Sequence, residues 1–128
     1  MSVWTHVAGV VRIDGFNELN WDEIFGKECK WNDGDEVWQE FEEHKERFLP
    51  YGSEGTLEKL VWRNPRRNEI DAFMITIFGD LRDHYNPDAI VEWFKSTIEK
   101  HNLWVRNAVI TVTNELNGTR TFTYDGDD

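Results

Sequence analysis

The stretch that decides the fold is Val3-Trp4-Thr5-His6-Val7-Ala8-Gly9-Val10-Val11-Arg12-Ile13. It is rich in β-branched residues, and its odd and even positions differ in polarity, which predicts a β-strand with two different faces. Residues 72–78, Ala-Phe-Met-Ile-Thr-Ile-Phe, are apolar on both faces, as expected for a strand in the middle of a sheet. Both runs are therefore predicted to be inner strands of one sheet.

Helices and further strands are predicted around these two runs. Residues 20–26 have an asparagine N-cap, early acids and a terminal glycine, which predict a short helix. An amphipathic helix is expected to begin at Asp35 as N-cap and to continue up to Pro50. A second long helix is expected after the cap Asn86-Pro87-Asp88. Residues 56–63, 105–113 and 119–124 are β-rich, and a polar loop is expected at 64–68.

The resulting order is β, α, β, β, α, β, β, which predicts an α+β fold. Without its last strand, this is the order of a ferredoxin-like split βαβ sandwich. We therefore expect a largely antiparallel sheet with helices on one face and one additional C-terminal strand. No repeat or linker divides the chain, so residues 1–128 are predicted to be a single domain.

Composition limits the classes of partner. The formal net charge is −11, which disfavours nucleic acid and anionic membranes and favours a basic protein. Between Asp14 and Glu46 there are twelve acidic residues against three lysines, so the charge is concentrated in one segment. Cys29 is the single cysteine, and no signal peptide or membrane-spanning run is recognisable. These features predict a protein of a reducing, cytoplasmic compartment.

One face of the predicted sheet is a candidate ligand site. If the odd positions of the first strand face the helices, Trp4, His6 and Arg12 point the other way. Asp80 and Arg82 can lie beside them, on a face that also holds Met74, Thr76 and Phe78. Rings for stacking and guanidinium groups for anions suit a nucleotide-like ligand. The alternative is a second hydrophobic layer, covered by residues 20–34 or by a second subunit.

The turn Gly52-Ser53-Glu54-Gly55 is another candidate. Two glycines permit positive φ, and successive N–H groups in such a turn can form an anion-binding nest. The turn leads into a strand and lacks the lysine of a phosphate-binding loop, so a purely structural turn is the alternative. Trp62 and Arg63, on the strand that follows, complete the set of candidate ligand contacts.

Two clusters of polar residues are the remaining candidates for a functional site. Asp80, Asp83 and His84 follow an apolar strand, where an acid and base or a metal site can form, although a solvated turn is the more common outcome. No metal, cofactor or catalytic motif is recognisable in the sequence. The acidic residues Glu36, Glu40, Glu42 and Glu43 can instead contact a basic protein partner, or they can simply be a solubilising helix face.

Three stretches, Trp4–Gly9, Pro50–Gly55 and Phe78–Asp83, together resemble those of small proteins encoded by bacteriophages and prophages. The resemblance covers most of the chain. It implies a phage origin and an accessory role in the cytoplasm of the infected bacterium, directed against the host, and it assigns no catalytic residue.

Two functions are therefore expected as alternatives. The first is a non-enzymatic anti-defence protein that sequesters a small, phosphate-bearing, nucleotide-derived signal, with the candidate contacts on the sheet face and in the glycine turn. The second is an acidic inhibitor, either a nucleic-acid mimic or an immunity-like protein, that masks a basic enzyme surface. A homo-oligomer is compatible with either.

Overall fold

The run at residues 3–13 forms β1 (Trp4–Gly15), the central strand of a five-stranded sheet in a computed structural model. The structure describes residues 2–15, 19–65, 70–101 and 103–126. The strand order is β4-β5-β1-β6-β7, and all neighbouring strands are antiparallel. The other strands of this sheet are β4 (Glu58–Pro65), β5 (Asp71–Arg82), β6 (Trp104–Asn114) and β7 (Gly118–Asp125).

The remaining elements connect these strands. A two-stranded hairpin consists of β2 (Tyr51–Gly52) and β3 (Gly55–Thr56). In the described part of the chain, the helices are α1 (Trp21–Phe25), α2 (Asp35–Glu43) and α3 (Pro87–Lys100), and a 3-10 turn spans Lys45–Arg47. The prediction of an α+β fold with a largely antiparallel sheet is confirmed. Residues 66–68 of the predicted loop lie outside the described part of the chain.

One face of the sheet carries the hydrophobic core. Alternation along the strands places one set of side chains on the same side, where α1 and α3 cover them. Because α1 contributes Trp21 and Phe25 to this core, the segment that begins at residue 20 packs on the helix side and not on the other face. The buried core residues of the strands include Val7, Val11, Ile13, Phe73, Ile75, Ile77, Leu81, Ala108, Ile110 and Val112.

The helix caps follow the sequence closely. The Asn20 side chain accepts a hydrogen bond from the Glu23 N–H, and the Asn86 side chain accepts one from the Ala89 N–H. Each bond satisfies a backbone donor that the first helical turn leaves free. The prediction of Asp35 as an N-cap is wrong, because Gly34 occupies that position and Asp35 is the first helical residue.

Two element lengths differ from the predictions. The helix expected to reach Pro50 ends at Glu43, because His44 leaves the helical region and Phe48 and Leu49 are then buried. Strand β5 continues beyond the apolar run at residues 72–78, through Gly79 to Arg82, because β1 pairs with it as far as Trp4 opposite Arg82. In the described ranges, no helix is long and apolar enough to cross a membrane.

Candidate functional site

The sheet face opposite the helices is open. Because β1 pairs with β5 and β6 in a defined register, Trp4, His6 and Arg12 lie on this face with Asp80 and Arg82, as the alternation predicted. Apolar side chains are exposed between them. They are Leu60 (49% exposed), Trp62 (55%), Met74 (38%) and Val109 (41%). We call this surface the open sheet face.

Most charged groups of the open sheet face are paired with each other or with neighbours. His6 Nδ1 lies 2.6 Å from Asp80 Oδ1, and the hydrogen bond to Asp80 raises the pKa of His6 above its usual value. Arg82 contacts Glu54 at 2.6 Å, and this bond raises the pKa of the guanidinium. The guanidinium of Arg82 is therefore already neutralised by a carboxylate of the protein, which leaves it a poorer site for a phosphate.

Arg12 differs from Arg82. No carboxylate lies within ion-pair distance of Arg12 in the described part of the chain. It faces Met74 on β5 and Asn107 on β6, and the β1–β6 register shifts just after it. Such β-bulges redirect side chains and often occur near functional sites. Arg12 is thus an available cation on the open sheet face.

The other arginine candidate, Arg63, does not belong to this group. It faces Phe73 across the strand pair, on the side opposite to Trp62, and its guanidinium contacts Asp71 at 2.8 Å. The sequence placed Arg63 and Trp62 in one set of candidate ligand contacts, but adjacent residues of a strand point to opposite faces. The two side chains therefore cannot share one ligand.

The turn Gly52–Gly55 connects β2 and β3, and it packs against other backbone. A Cβ at Gly52 would lie 2.4 Å from the Arg82 carbonyl oxygen, and one at Gly55 would lie 2.4 Å from that of Cys29. The Ser53 N–H donates to the Arg82 carbonyl at 2.9 Å. Close packing thus accounts for both glycines, and at least one donor of the expected anion nest is already used.

A groove lies on the helix side, between α2 with the 3-10 turn and the beginning of α3. Its volume is about 820 Å³, compared with about 500 and 220 Å³ for two other cavities of the described ranges. Residues of the loop after β5 and of the β2–β3 hairpin also line it. Six aromatic rings and three carboxylates contribute to the lining, and they are Trp38, Phe41, Phe48, Tyr51, Tyr85, Trp93, Glu42, Glu46 and Asp83. We call this the aromatic groove.

The rings of the aromatic groove already hold a cation. Lys45 Nζ lies 5.7 Å from the centre of the Phe41 ring and 5.5 Å from that of Tyr51. Phe41 and Tyr51 meet edge to face at 5.0 Å, so their relative orientation is fixed by direct contact. A carboxylate oxygen of Glu42 lies 3.6 Å from Lys45 Nζ. A ring pair beside a carboxylate is a favourable position for an ammonium or guanidinium group.

The polar residues at the end of β5 and in the loop after it separate in space. Asp80 is on the open sheet face with His6, whereas Asp83 and His84 line the aromatic groove. Asp83 has a positive φ of 60°, and it lies 3.2 Å from Ser53 Oγ. Burial lowers the pKa of His84. In the described ranges, no group of three or more histidine, cysteine, aspartate or glutamate side chains is arranged to hold a metal ion.

The four glutamates of α2 are not equivalent. Glu40 contacts Lys27 at 2.6 Å, and this bond lowers the pKa of Glu40. Glu42 lines the aromatic groove. Glu36 and Glu43 are exposed and have no cation within ion-pair distance in the described residues. Glu36 and Glu43 are therefore the two of these carboxylates without a cation partner in the described residues, whereas Glu42 contacts Lys45.

The sequence did not predict the aromatic groove. Its rings come from α2, the hairpin, α3 and two connecting segments that contain Phe48 and Tyr85. The one available indication was the position of Trp38, Phe41 and Lys45 on one side of an amphipathic segment. Their partners Tyr51, Tyr85 and Trp93 come close only through the tertiary fold.

No protein family, curated protein or solved structure was found to match this chain.

Proposed function

We propose that this protein is a non-enzymatic binding protein that masks a basic protein surface, with the aromatic groove receiving a lysine or arginine side chain of its partner. The observation that carries the proposal is the position of Lys45 Nζ over the rings of Phe41 and Tyr51. An ammonium in this position is attracted by both ring faces. A cation of a partner can take the same position if Lys45 moves away.

Charge supports a basic partner. The chain has a net charge of −11, and Glu42, Glu46 and Asp83 line the groove, where Lys45 is the one lysine or arginine among the described lining residues. Complementary charge increases association rates and selects the partner, while the rings supply apolar contact area. The exposed carboxylates of Glu36 and Glu43 extend the acidic surface along α2.

The groove can be tested with a labelled peptide of alternating arginine and leucine, followed by fluorescence anisotropy. Tyr51→Leu removes a ring and keeps an apolar side chain, so we expect affinity to fall about 2- to 5-fold, as for loss of one exposed cation–π contact. Tyr124→Leu is the matched control, since Tyr124 is exposed to 39% against 40% for Tyr51 and lies outside the groove.

Lys45 provides a second test with the opposite sign. Lys45→Met frees the rings from their internal cation and should strengthen peptide binding more than Lys95→Met, which removes the same charge from an exposed position on α3. Binding of a peptide with glutamine in place of arginine should be negligible. The proposal fails if both peptides bind equally, or if Tyr51→Leu and Tyr124→Leu behave alike.

A second candidate is the sequestration of a small phosphate-bearing, nucleotide-derived signal. It is favoured by Arg12, a cation without a carboxylate partner in the described ranges, on the same face as the exposed Trp62. A ligand that binds the folded state must raise the melting temperature. Unchanged melting across a panel of cyclic and linear nucleotides would remove this candidate, and an increase should be lost in Arg12→Ala.

The biological setting is part of the proposal. A phage accessory protein in the bacterial cytoplasm would have a basic defence enzyme as its partner, and nucleic acid should then compete with the protein for that enzyme. We also propose that the fold is a ferredoxin-like split βαβ sandwich with one added strand. Support comes from the order β4-β5-β1-β6, in which β1 lies between the strands that precede and follow α3.

A further inference from the structure

The open sheet face is a large surface with little charge on an acidic protein. Two cross-strand rows at its centre are nearly uncharged. One consists of Leu60, Thr76, Val10, Val109 and Thr123, and the other of Glu58, Phe78, Ala8, Thr111 and Thr121. The single charge in these rows, Glu58, is paired with Lys30. Exposed apolar surface with a polar rim is typical of a protein interface.

Most of the other charged side chains of the open sheet face are paired with a group of opposite charge or with a hydrogen-bond partner. Glu58 and Asp14 have cationic partners in Lys30 and Arg106, Arg82 has Glu54, and Asp80 is hydrogen-bonded to His6. Two charged side chains of the face are left without an opposite charge within ion-pair distance in the described ranges, and they are Arg12 and Asp125. They have opposite signs, and they lie on the same cross-strand row, on either side of Asn107.

Arg12 and Asp125 do not form an ion pair with each other in the described ranges. They are separated by two interstrand spacings, which corresponds to roughly 10 Å between backbones. In a twofold interface, a contact from residue i to residue j is accompanied by the contact from j to i. An arginine and an aspartate that are both left over on one face are therefore complementary to the same face of a second copy.

We propose that the open sheet face is a homodimer interface, in which Arg12 of each copy pairs with Asp125 of the other and the apolar rows pack between them. The sheet is large enough. Five strands at about 4.8 Å and about eight residues at about 3.4 Å cover roughly 24 by 27 Å, or about 650 Å² before side-chain corrugation is added. Interfaces of standard size bury roughly 600 to 1,000 Å² per partner, so the area of this face reaches the lower part of that range.

Charge reversal gives a specific test by sedimentation velocity. Wild-type protein should show a concentration-dependent dimer. Arg12→Asp and Asp125→Arg should each weaken the dimer at least about tenfold, because each turns both symmetry-related pairs into like-charge contacts. An equimolar mixture of the two variants should form a heterodimer. In it, the carboxylate introduced in one variant faces the guanidinium introduced in the other, and the native Arg12 and Asp125 form the second pair. Circular dichroism confirms that each variant is folded.

Position 109 gives an independent variant. Val109→Glu places a charge at the centre of the face and should abolish the dimer, whereas Leu116→Glu adds the same charge in the exposed β6–β7 turn and should not. The proposal is overturned if wild-type protein is a monomer at every concentration, or if the mixture associates no better than either variant alone. A monomer that melts at a higher temperature with a nucleotide would assign this face to the small ligand instead.

Discussion

His6 and His84 lie in opposite electrostatic environments although both are near the same end of the β1–β5 strand pair. His6 is on the open sheet face between Asp80 and Glu115, and these carboxylates favour its protonated form. His84 is half-buried beside the aromatic groove, where desolvation favours its neutral form. The pKa of His6 is therefore raised, and the pKa of His84 is lowered.

These opposite shifts predict an optimum in stability near pH 6.5. In the unfolded chain both histidines titrate at about 6.5. The stabilisation by His6 is complete below that pH and is lost as the pH rises through its raised pKa in the folded state. The stabilisation by neutral His84 is complete above about 6.5 and is lost as the pH falls through its lowered pKa.

Thermal melting as a function of pH measures this prediction. His6→Gln should remove the decline in melting temperature above pH 6.5. His84→Gln should remove the part of the decline below pH 6.5 that comes from protonation of the His84 imidazole. The ring resonances of the two histidines in an NMR titration give their pKa values separately. The interpretation is incorrect if the His6 resonance titrates below that of His84.

Single residues also show which side-chain contacts can be predicted from the sequence and which cannot. Alternation along a strand is enough to predict that Trp4, His6 and Arg12 share a face, because side chains of a strand have a period of two. It cannot predict that Arg82 is paired with Glu54 or Arg63 with Asp71. Those partners come from the hairpin and from the neighbouring strand, and their proximity depends on the register and on the tertiary fold.

At the scale of elements, Asn114 connects three parts of the chain. Its Nδ2 donates to Thr5 Oγ1 on β1 and to the His84 carbonyl in the loop before α3, at 2.9 Å in each case. Its Oδ1 accepts the N–H groups of Leu116 and Asn117, also at 2.9 Å. The amide thus joins the β6–β7 turn, the central strand and the loop that ends β5.

We expect Asn114→Ala to destabilise the fold by about 1–3 kcal/mol or more, because the buried partners lose their hydrogen bonds together. Asn114→Asp retains the acceptor for the turn N–H groups, but it loses the amide donor and places a carboxylate beside the His84 carbonyl. Both variants are measured by urea denaturation. Asn117→Ala, in the exposed turn, is the control, and an equal loss there would contradict a special role for Asn114.

The ends of helices and strands were predictable where they are set by interactions between residues close together in the sequence. The caps Asn20 and Asn86 act within one helical turn, and the sequence identified both. The end of α2 was not predictable, because His44 interrupts the helix where burial of Phe48 and Leu49 against other elements overrides a continuous apolar pattern. The length of β5 likewise depends on β1, which supplies hydrogen bonds beyond the apolar run.

At the scale of the whole molecule, the sequence predicted a sheet with helices on one side but could not predict what that architecture leaves exposed. The aromatic groove needs α2, the hairpin and α3 in place, and the charge balance of the open sheet face needs the full register. Net charge was visible from the start. Its distribution over paired and unpaired side chains appeared only in three dimensions.

That distribution predicts how stability depends on salt. With a net charge of −11, repulsion among carboxylates opposes folding, and screening reduces it. The melting temperature should therefore rise as sodium chloride increases at low ionic strength. Glu36→Gln with Glu43→Gln removes two exposed carboxylates that have no cation partner in the described ranges, so this variant should melt higher in low salt and respond less to it. Glu40→Gln breaks the contact with Lys27 and should melt lower. The prediction fails if replacing Glu36, Glu40 and Glu43 has the same effect on the melting temperature. In that case pairing with a cation makes no difference to stability, and long-range repulsion alone determines the response to salt.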